Sequence, residues 1–123
     1  MNEQNRQFRP AADATQPTLE AAYEASRVIL RAEDPDRYVA CLLAPPAFRP
    51  HLFAIYAFNC EIARVRETVS EALPGEIRHQ WWREALSCHA GDAAAAHPVA
   101  ASLLDTMKRF RLPPEPFLGL IEA

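Results

Sequence analysis

Apolar residues recur along this chain at spacings of three and four, and no stretch alternates apolar and polar residues as a half-buried strand would. Thr18 can cap a first helix carrying Leu19, Ala22, Tyr23, Ile29 and Leu30. Asp34-Pro35 is a second start signal, a capping acid followed by a proline at the first helical position. The short helix it opens contains Tyr38, Val39, Leu42 and Leu43, and Pro45-Pro46 ends it. A long helix is expected from about Ala47 to Val69, with Pro50 near its first turn, where backbone N–H groups lack partners anyway. Leu73-Pro74-Gly75 is expected to break the chain, and Pro74 to Cys88 to form the next helix, burying Ile77, Trp81 and Leu86. Gly91 and the run Ala93 to Ala96 read as a connector. His97-Pro98 opens another helix with Val99, Leu103, Met107 and Phe110 on one face, Leu112-Pro113-Pro114 closes it, and Glu115 begins a further one. The pattern predicts an all-α protein of about five or six helices.

Residues 1–17 are polar and are expected to be a disordered lead-in to a single domain over 18–123. The apolar run Phe117 to Ala123 reads as a helix cut in midstream, so the chain is expected to be the N-terminal portion of a larger bundle. Composition narrows the function. The 123 residues are 50% hydrophobic and 24% charged, with a net charge of −3, which excludes a broad electrostatic footprint for nucleic acid. Lys108 is the only lysine among 13 cationic side chains. No window approaches the roughly 18 consecutive apolar residues of a membrane span. No apolar signal core is present, and a cytoplasmic bacterial protein is the simplest expectation. Cys41, Cys60 and Cys88 are odd in number and lack C-x-x-C spacing, which favours small buried hydrophobes in a reducing compartment.

The long helix holds the candidate chemistry. Asn59, Ala63, Arg66 and Ser70 step by four, three and four, so they share one stripe beside Leu52, Ile55, Tyr56 and Ile62, and Glu67 lies close to it. Such a polar line between large apolar residues suits a face that looks into a cavity. The alternative is an ordinary amphipathic helix on which Glu61, Arg64 and Glu67 are surface partners. Trp81 and Trp82 point about 100° apart on a helix, so one belongs in the core and the other at a helix boundary. Arg78 and Arg83 could hold phosphate or pair with Glu76 and Glu84. His51, His79, His89 and His97 have no metal-ligand spacing, and no phosphate-cradling glycine loop or Ser-His-Asp signature is present.

Several segments, in order, resemble the squalene/phytoene synthase family: Asp36-Arg37-Tyr38, Ala44-Pro45, Arg49-Pro50, Leu52 to Phe58, Gln80-Trp81-Trp82-Arg83 and His97-Pro98-Val99-Ala100. The likeness covers roughly residues 20 to 123 and implies the N-terminal part of an isoprenoid-synthase-like helical bundle. Family enzymes join two prenyl diphosphates head to head. They hold Mg²⁺ on two aspartate-rich motifs, because a diphosphate leaving group needs oxygen-liganded cations to accept its charge. The resemblance places the first motif's two acids at Ala63 and Glu67. Glu67 is the remaining metal-ligand candidate, whereas Ala63 offers no oxygen, and Arg64 and Arg66 oppose a cation. Asp36 stands where the family has a serine, and the second motif would lie beyond Ala123. Tyr38 and Tyr56 fall at family-matching positions and are expected to edge the cavity, with Asn59, Arg66 and Ser70 facing the ligand.

Phe58-Asn59, Glu61-Ile62-Ala63, Val65, Val69-Ser70-Glu71 and Gln80-Trp81-Trp82 are similar to the branch of that family containing the mitochondrial respiratory complex I assembly factor and its bacterial relatives. That likeness implies a catalytically impaired assembly or scaffold protein with no cofactor, a protein partner in respiratory complex assembly, and peripheral contact with the inner membrane. The alternative it leaves open is a prenyl transferase that acts on prenyl diphosphates with Mg²⁺ at a degenerate site.

Overall fold

A computed structural model describes residues 17–68, 72–87 and 91–123. The expected disordered lead-in lies almost wholly outside the described residues. Among the described residues every regular element is helical: α1 Leu19–Glu33, α2 Pro35–Cys41, a 3₁₀ turn Pro46–Phe48, α3 Arg49–Thr68, α4 Ala72–Leu86, α5 Asp92–Ala96, α6 Pro98–Phe110 and α7 Glu115–Glu122. The all-α class is thus observed, with seven helices where five or six were expected. The added one is α5, which turns the alanine-rich connector into a short helix, alanine having the highest intrinsic helix propensity.

The start signals act as the sequence implies. Thr18 Oγ1 accepts a hydrogen bond from the Ala21 N–H at 3.1 Å, and Asp34 Oδ1 accepts from the Arg37 N–H at 3.2 Å with Pro35 leading α2. His97 Nδ1 accepts from the Ala100 N–H at the head of α6. Leu73-Pro74-Gly75 is a correction, because it sits inside the first turn of α4 and does not break the chain. Pro74 is the third helical residue, where its missing N–H has no intrahelical acceptor to lose. The buried face of α4 is also rotated from the expected one. Ile77 is 62% exposed, while Trp82 and Ala85 join Leu86 in the core. Trp82 is the core tryptophan of the tandem, 5.0 Å from Phe58, and Trp81 is partly buried beside it.

The centre of the molecule is the packing of α1, α3 and α6 on one another. Small residues face inward there: Ala22 and Ser26 of α1, Ala54 and Ala57 of α3, and Ala100 and Ser102 of α6 are all buried. Without bulky side chains at these positions the helix axes can approach closely. Ser26 Oγ and Ser102 Oγ meet at 2.8 Å, and Ser102 Oγ donates to the Val99 carbonyl at 3.1 Å, so a short hydroxyl chain satisfies both buried groups. Around these residues Phe58, Val99, Leu103 and Met107 extend the core to Trp82, Phe117 and Ile121. A second cluster of Leu30, Cys41, Phe53 and Cys60 ties α2 to α1 and α3.

A polar group closes the same seam. Tyr23 OH donates to Asp105 Oδ2 at 2.6 Å and lies 3.0 Å from Thr106 Oγ1 and 3.1 Å from His51 Nδ1. Arg109 Nε donates to the same Asp105 oxygen at 2.7 Å. Burial and the Asp105 carboxylate push the Tyr23 phenol up to about 12. Burial alone would raise Asp105, but the hydrogen bonds from Tyr23 and Arg109 together hold it below the ordinary carboxylate range. Burial and the Arg109 charge lower His51, against the pull of Asp105. Burial likewise lowers His97, against Glu61.

At the C-terminal end of α6, Arg111 adopts the left-handed conformation (φ 54°), and its N–H caps the Met107 carbonyl. A side chain is disfavoured there, and glycine is the residue that takes this conformation without cost.

Three outcomes follow for stability, all measurable by urea unfolding. Ser102→Ala orphans the Ser26 hydroxyl and should cost about 1–3 kcal/mol, whereas Ser26→Ala leaves Ser102 its carbonyl acceptor and should cost about 1 kcal/mol. Arg111→Gly should stabilise the fold by about 0.5–1 kcal/mol. His51 and His97 bind protons more readily in the unfolded chain. Their contribution is therefore whole above the ordinary histidine value of about 6.5 and is lost as pH falls through the lower folded values. Asp105 shows the usual carboxylate sense, its contribution present above about pH 4 and lost below. The urea midpoint should fall between pH 7 and 5, fall again below pH 4, and lose part of the first drop in His51→Gln.

Candidate functional site

Three successive turns of α3 bring Asn59 and Cys60, Ala63 and Arg64, and Glu67 along one wall of an open cavity of about 350 Å³. The opposite wall is Glu33, at the end of α1, and Asp34, which ends α1 and caps α2. Of the stripe, Asn59 and Ala63 line this cavity, together with the adjoining Glu67. Glu33, Asp34 and Cys60 are not among the site residues expected from sequence. Glu33 and Asp34 lie more than twenty residues before the stripe, and only the packing of α1 on α3 brings them opposite it.

Arg64 sets the electrostatics of this cavity. Its Nη2 donates to Glu33 Oε1 across the α1–α3 gap, and its Nη1 lies 3.6 Å from Glu61 Oε1. The Glu33 hydrogen bond, helped by the charge of Glu61, holds the guanidinium more firmly protonated than usual. Burial, with Glu33, Asp34 and Glu61 adding to it, pushes the Cys60 thiol up to about 11. Cys60 therefore remains a neutral thiol near pH 7 and is no thiolate nucleophile. Burial also raises Cys41, and both behave as the buried hydrophobes the sequence suggested, while Cys88 lies outside the described residues.

Other candidates sit elsewhere, and these are corrections to the expected cavity edge. Tyr38 is stacked on Phe53 at 5.4 Å and accepts a hydrogen bond from Arg27 Nη1 at 3.3 Å. Tyr56 lies under the Arg37 guanidinium, 4.8 Å from its ring centre. Neither is in the wall of the Ala63–Glu67 cavity; both pack on the Leu30–Phe53 cluster instead. Arg66 is likewise absent from that wall. Its Nη2 donates to the Leu120 carbonyl at 2.7 Å and the Ile121 carbonyl at 3.3 Å, near the end of α7, where a cation complements the helix dipole. Ser70 lies outside the described residues. Arg83 bridges Glu76 and Glu122 at 2.8 and 2.7 Å and so is not available to a phosphate. Arg78 instead lines a smaller cavity of about 150 Å³ with Glu61, Trp81, Trp82 and His97.

The donors of the larger cavity do not suit a Mg²⁺ cluster. Ala63 supplies no oxygen one turn before Glu67, Glu33 is already engaged by Arg64, and Asp34 Oδ1 is taken by the Arg37 N–H at the head of α2. Among the described residues no three His, Cys, Asp or Glu side chains are grouped to hold a metal.

The family model for squalene/phytoene synthase matches residues 30–123, from the last turns of α1 through α7. NADH dehydrogenase (ubiquinone) complex I, assembly factor 6 of Homo sapiens is 37% identical over 84 residues, covering 68% of this chain and 25% of that protein. The protein of the same name from Rattus norvegicus is 32% identical over 114 residues, 93% of this chain and 34% of that protein. That from Bos taurus is 34% identical over 84 residues, 68% of this chain and 25% of that protein. The chain therefore spans about a quarter to a third of the length of these relatives. No solved structure matches it significantly. The all-helical order of elements and the matched span agree: this chain belongs to the squalene/phytoene synthase family.

Proposed function

We propose that this protein serves the assembly of a respiratory NADH dehydrogenase complex and does not condense prenyl diphosphates. The observation that carries this reading is the cavity wall at Ala63. The position one turn before Glu67 faces the cavity without an oxygen, and Arg64 locks the facing Glu33 into an ion pair. A diphosphate leaving group needs several metal-held contacts at once, and with Glu33 paired to Arg64 and Asp34 capping α2, Glu67 is the acid of this wall left to supply them. The names of the relatives, each a complex I assembly factor, support the same reading. A protein partner from the complex under assembly fits this role. No described helix is long and apolar enough to cross a membrane. Peripheral contact with the inner membrane is the placement that suits such work.

The test is genetic and biochemical together. Deleting the gene should reduce NADH-dependent respiratory activity and the amount of assembled complex on native gels. Glu67→Gln, expressed from a plasmid, should restore both as well as the unaltered gene does. The intact protein, incubated with prenyl diphosphates and Mg²⁺, should release no diphosphate. Mg²⁺-dependent turnover that Glu67→Gln abolishes would instead establish the prenyl transferase alternative.

A further inference from the structure

The turn between α2 and α3 is unusual for an exposed segment. From Tyr38 to Phe48 it contains no charged residue. Leu43 is 88% exposed and Val39 59%, and Leu42 and Phe48 also reach solvent. Single exposed apolar residues are ordinary, but four within ten positions make a patch. The patch continues onto α6, because the Phe48 ring lies 6.0 Å from that of exposed Phe110. Phe48 and Phe110 also border a cavity of about 240 Å³ whose other walls include Leu52, Ile55 and Leu112.

Most of the backbone N–H groups of this tip are already bonded. The N–H groups of Leu42, Leu43, Ala44 and Phe48 donate to the carbonyls of Val39, Ala40, Cys41 and Pro45 at 2.9–3.1 Å. Pro45 and Pro46 have no N–H to satisfy, and the Ala44 carbonyl accepts from Arg49 Nε at 2.9 Å. Leaving water is costly for unpaired peptide groups, so these bonds lower the cost of placing the tip in the interfacial region of a bilayer.

Along the two segments that carry the patch, cations outnumber acids, while Glu20 and Glu24 of α1 stand near Pro50. No acid occurs between Asp36 and Glu61, where Arg37 and Arg49 are the charges. Between Asp92 and Glu115 the only acid is Asp105, engaged by Tyr23 and Arg109. Lys108 and Arg111 flank Phe110 and are exposed, and their side chains have no ion-pair or hydrogen-bond partner among the described residues. An apolar tip whose N–H groups are mostly bonded, next to the unpaired side-chain cations that flank Phe110, is complementary to an anionic bilayer surface.

We infer that the α2–α3 tip and Phe110 form a membrane-docking surface: Leu42, Leu43 and Phe48 enter the interface of a bilayer, and Lys108 and Arg111 meet its anionic headgroups. This refines the peripheral placement proposed above. It is tested without any complex I component, so either idea can fail alone.

The experiment is flotation of the intact protein with vesicles of phosphatidylcholine alone or with 30% phosphatidylglycerol (about a third anionic lipid). The protein should float with the anionic vesicles and much less with the neutral ones, and salt should weaken binding. Leu43→Asp, at a position with almost no packing to lose, should reduce binding by about tenfold or more. Arg111→Gly relieves the left-handed backbone strain, so it cannot act by unfolding, and it should reduce binding by about fivefold. Ile77→Asp, at an exposed apolar position on α4, should bind as the unaltered protein does. Equal binding by Leu43→Asp, or equal loss in Ile77→Asp, would overturn the proposal. So would a dimer that Leu43→Asp dissociates with no vesicle binding in either form, since the tip would then be an interface between copies.

Discussion

The close approach of α1 to α6 against α3 is the constraint on which the rest of this structure depends. It is possible only because Ala22, Ser26 and Ser102 keep the seam thin, and it is sustained by a hydroxyl chain that leaves neither serine unpaired. The Tyr23–Asp105–Arg109 group then fixes one end of the seam with charge-assisted hydrogen bonds. Because α1 is held in this way, its C-terminal residues Glu33 and Asp34 come to stand across from α3, and the candidate cavity exists at all.

Within that cavity the outcome rests on a change of sign more than of shape. The helix still presents its polar stripe, and Glu67 still faces the space. At the neighbouring positions an alanine removes an oxygen, and an arginine brings a permanent cation to Glu33. A carboxylate satisfied by guanidinium has little left to give a metal, since the same lone pairs serve both. The fold can therefore persist while the chemistry of a diphosphate site lapses.

Charge is also unevenly placed. Glu33, Asp34 and Glu67 gather at the cavity with Arg64, while Lys108 and Arg111 flank Phe110 and Arg49 bonds the Ala44 carbonyl of the tip. A net charge of −3 conceals this unevenness. The two faces answer different demands. The cavity is polar and occupied by its own ion pair, and the tip is apolar with most of its N–H groups bonded.

The sequence by itself determined the helical class, the caps at Thr18, Asp34 and His97, and the approach of Asn59 and Ala63 along one stripe with Glu67 beside it. All are local consequences of a 3.6-residue period and of side chains reaching backbone donors three residues away. It misjudged what depends on neighbours far along the chain. Whether Ile77 or Trp82 is buried follows from how α4 rolls against Phe58 and Phe117, and Leu-Pro-Gly lies within α4 because a first turn has no use for the missing N–H. Tyr38 and Tyr56 were drawn aside by Phe53 and Arg37, and Arg66 by the carbonyls of α7. The Tyr23–His51–Asp105–Thr106 group has no signature in one dimension, its members being spread over more than eighty residues. Only tertiary packing could assemble them, because a long side chain chooses its partner by distance in space, which the order of residues does not encode.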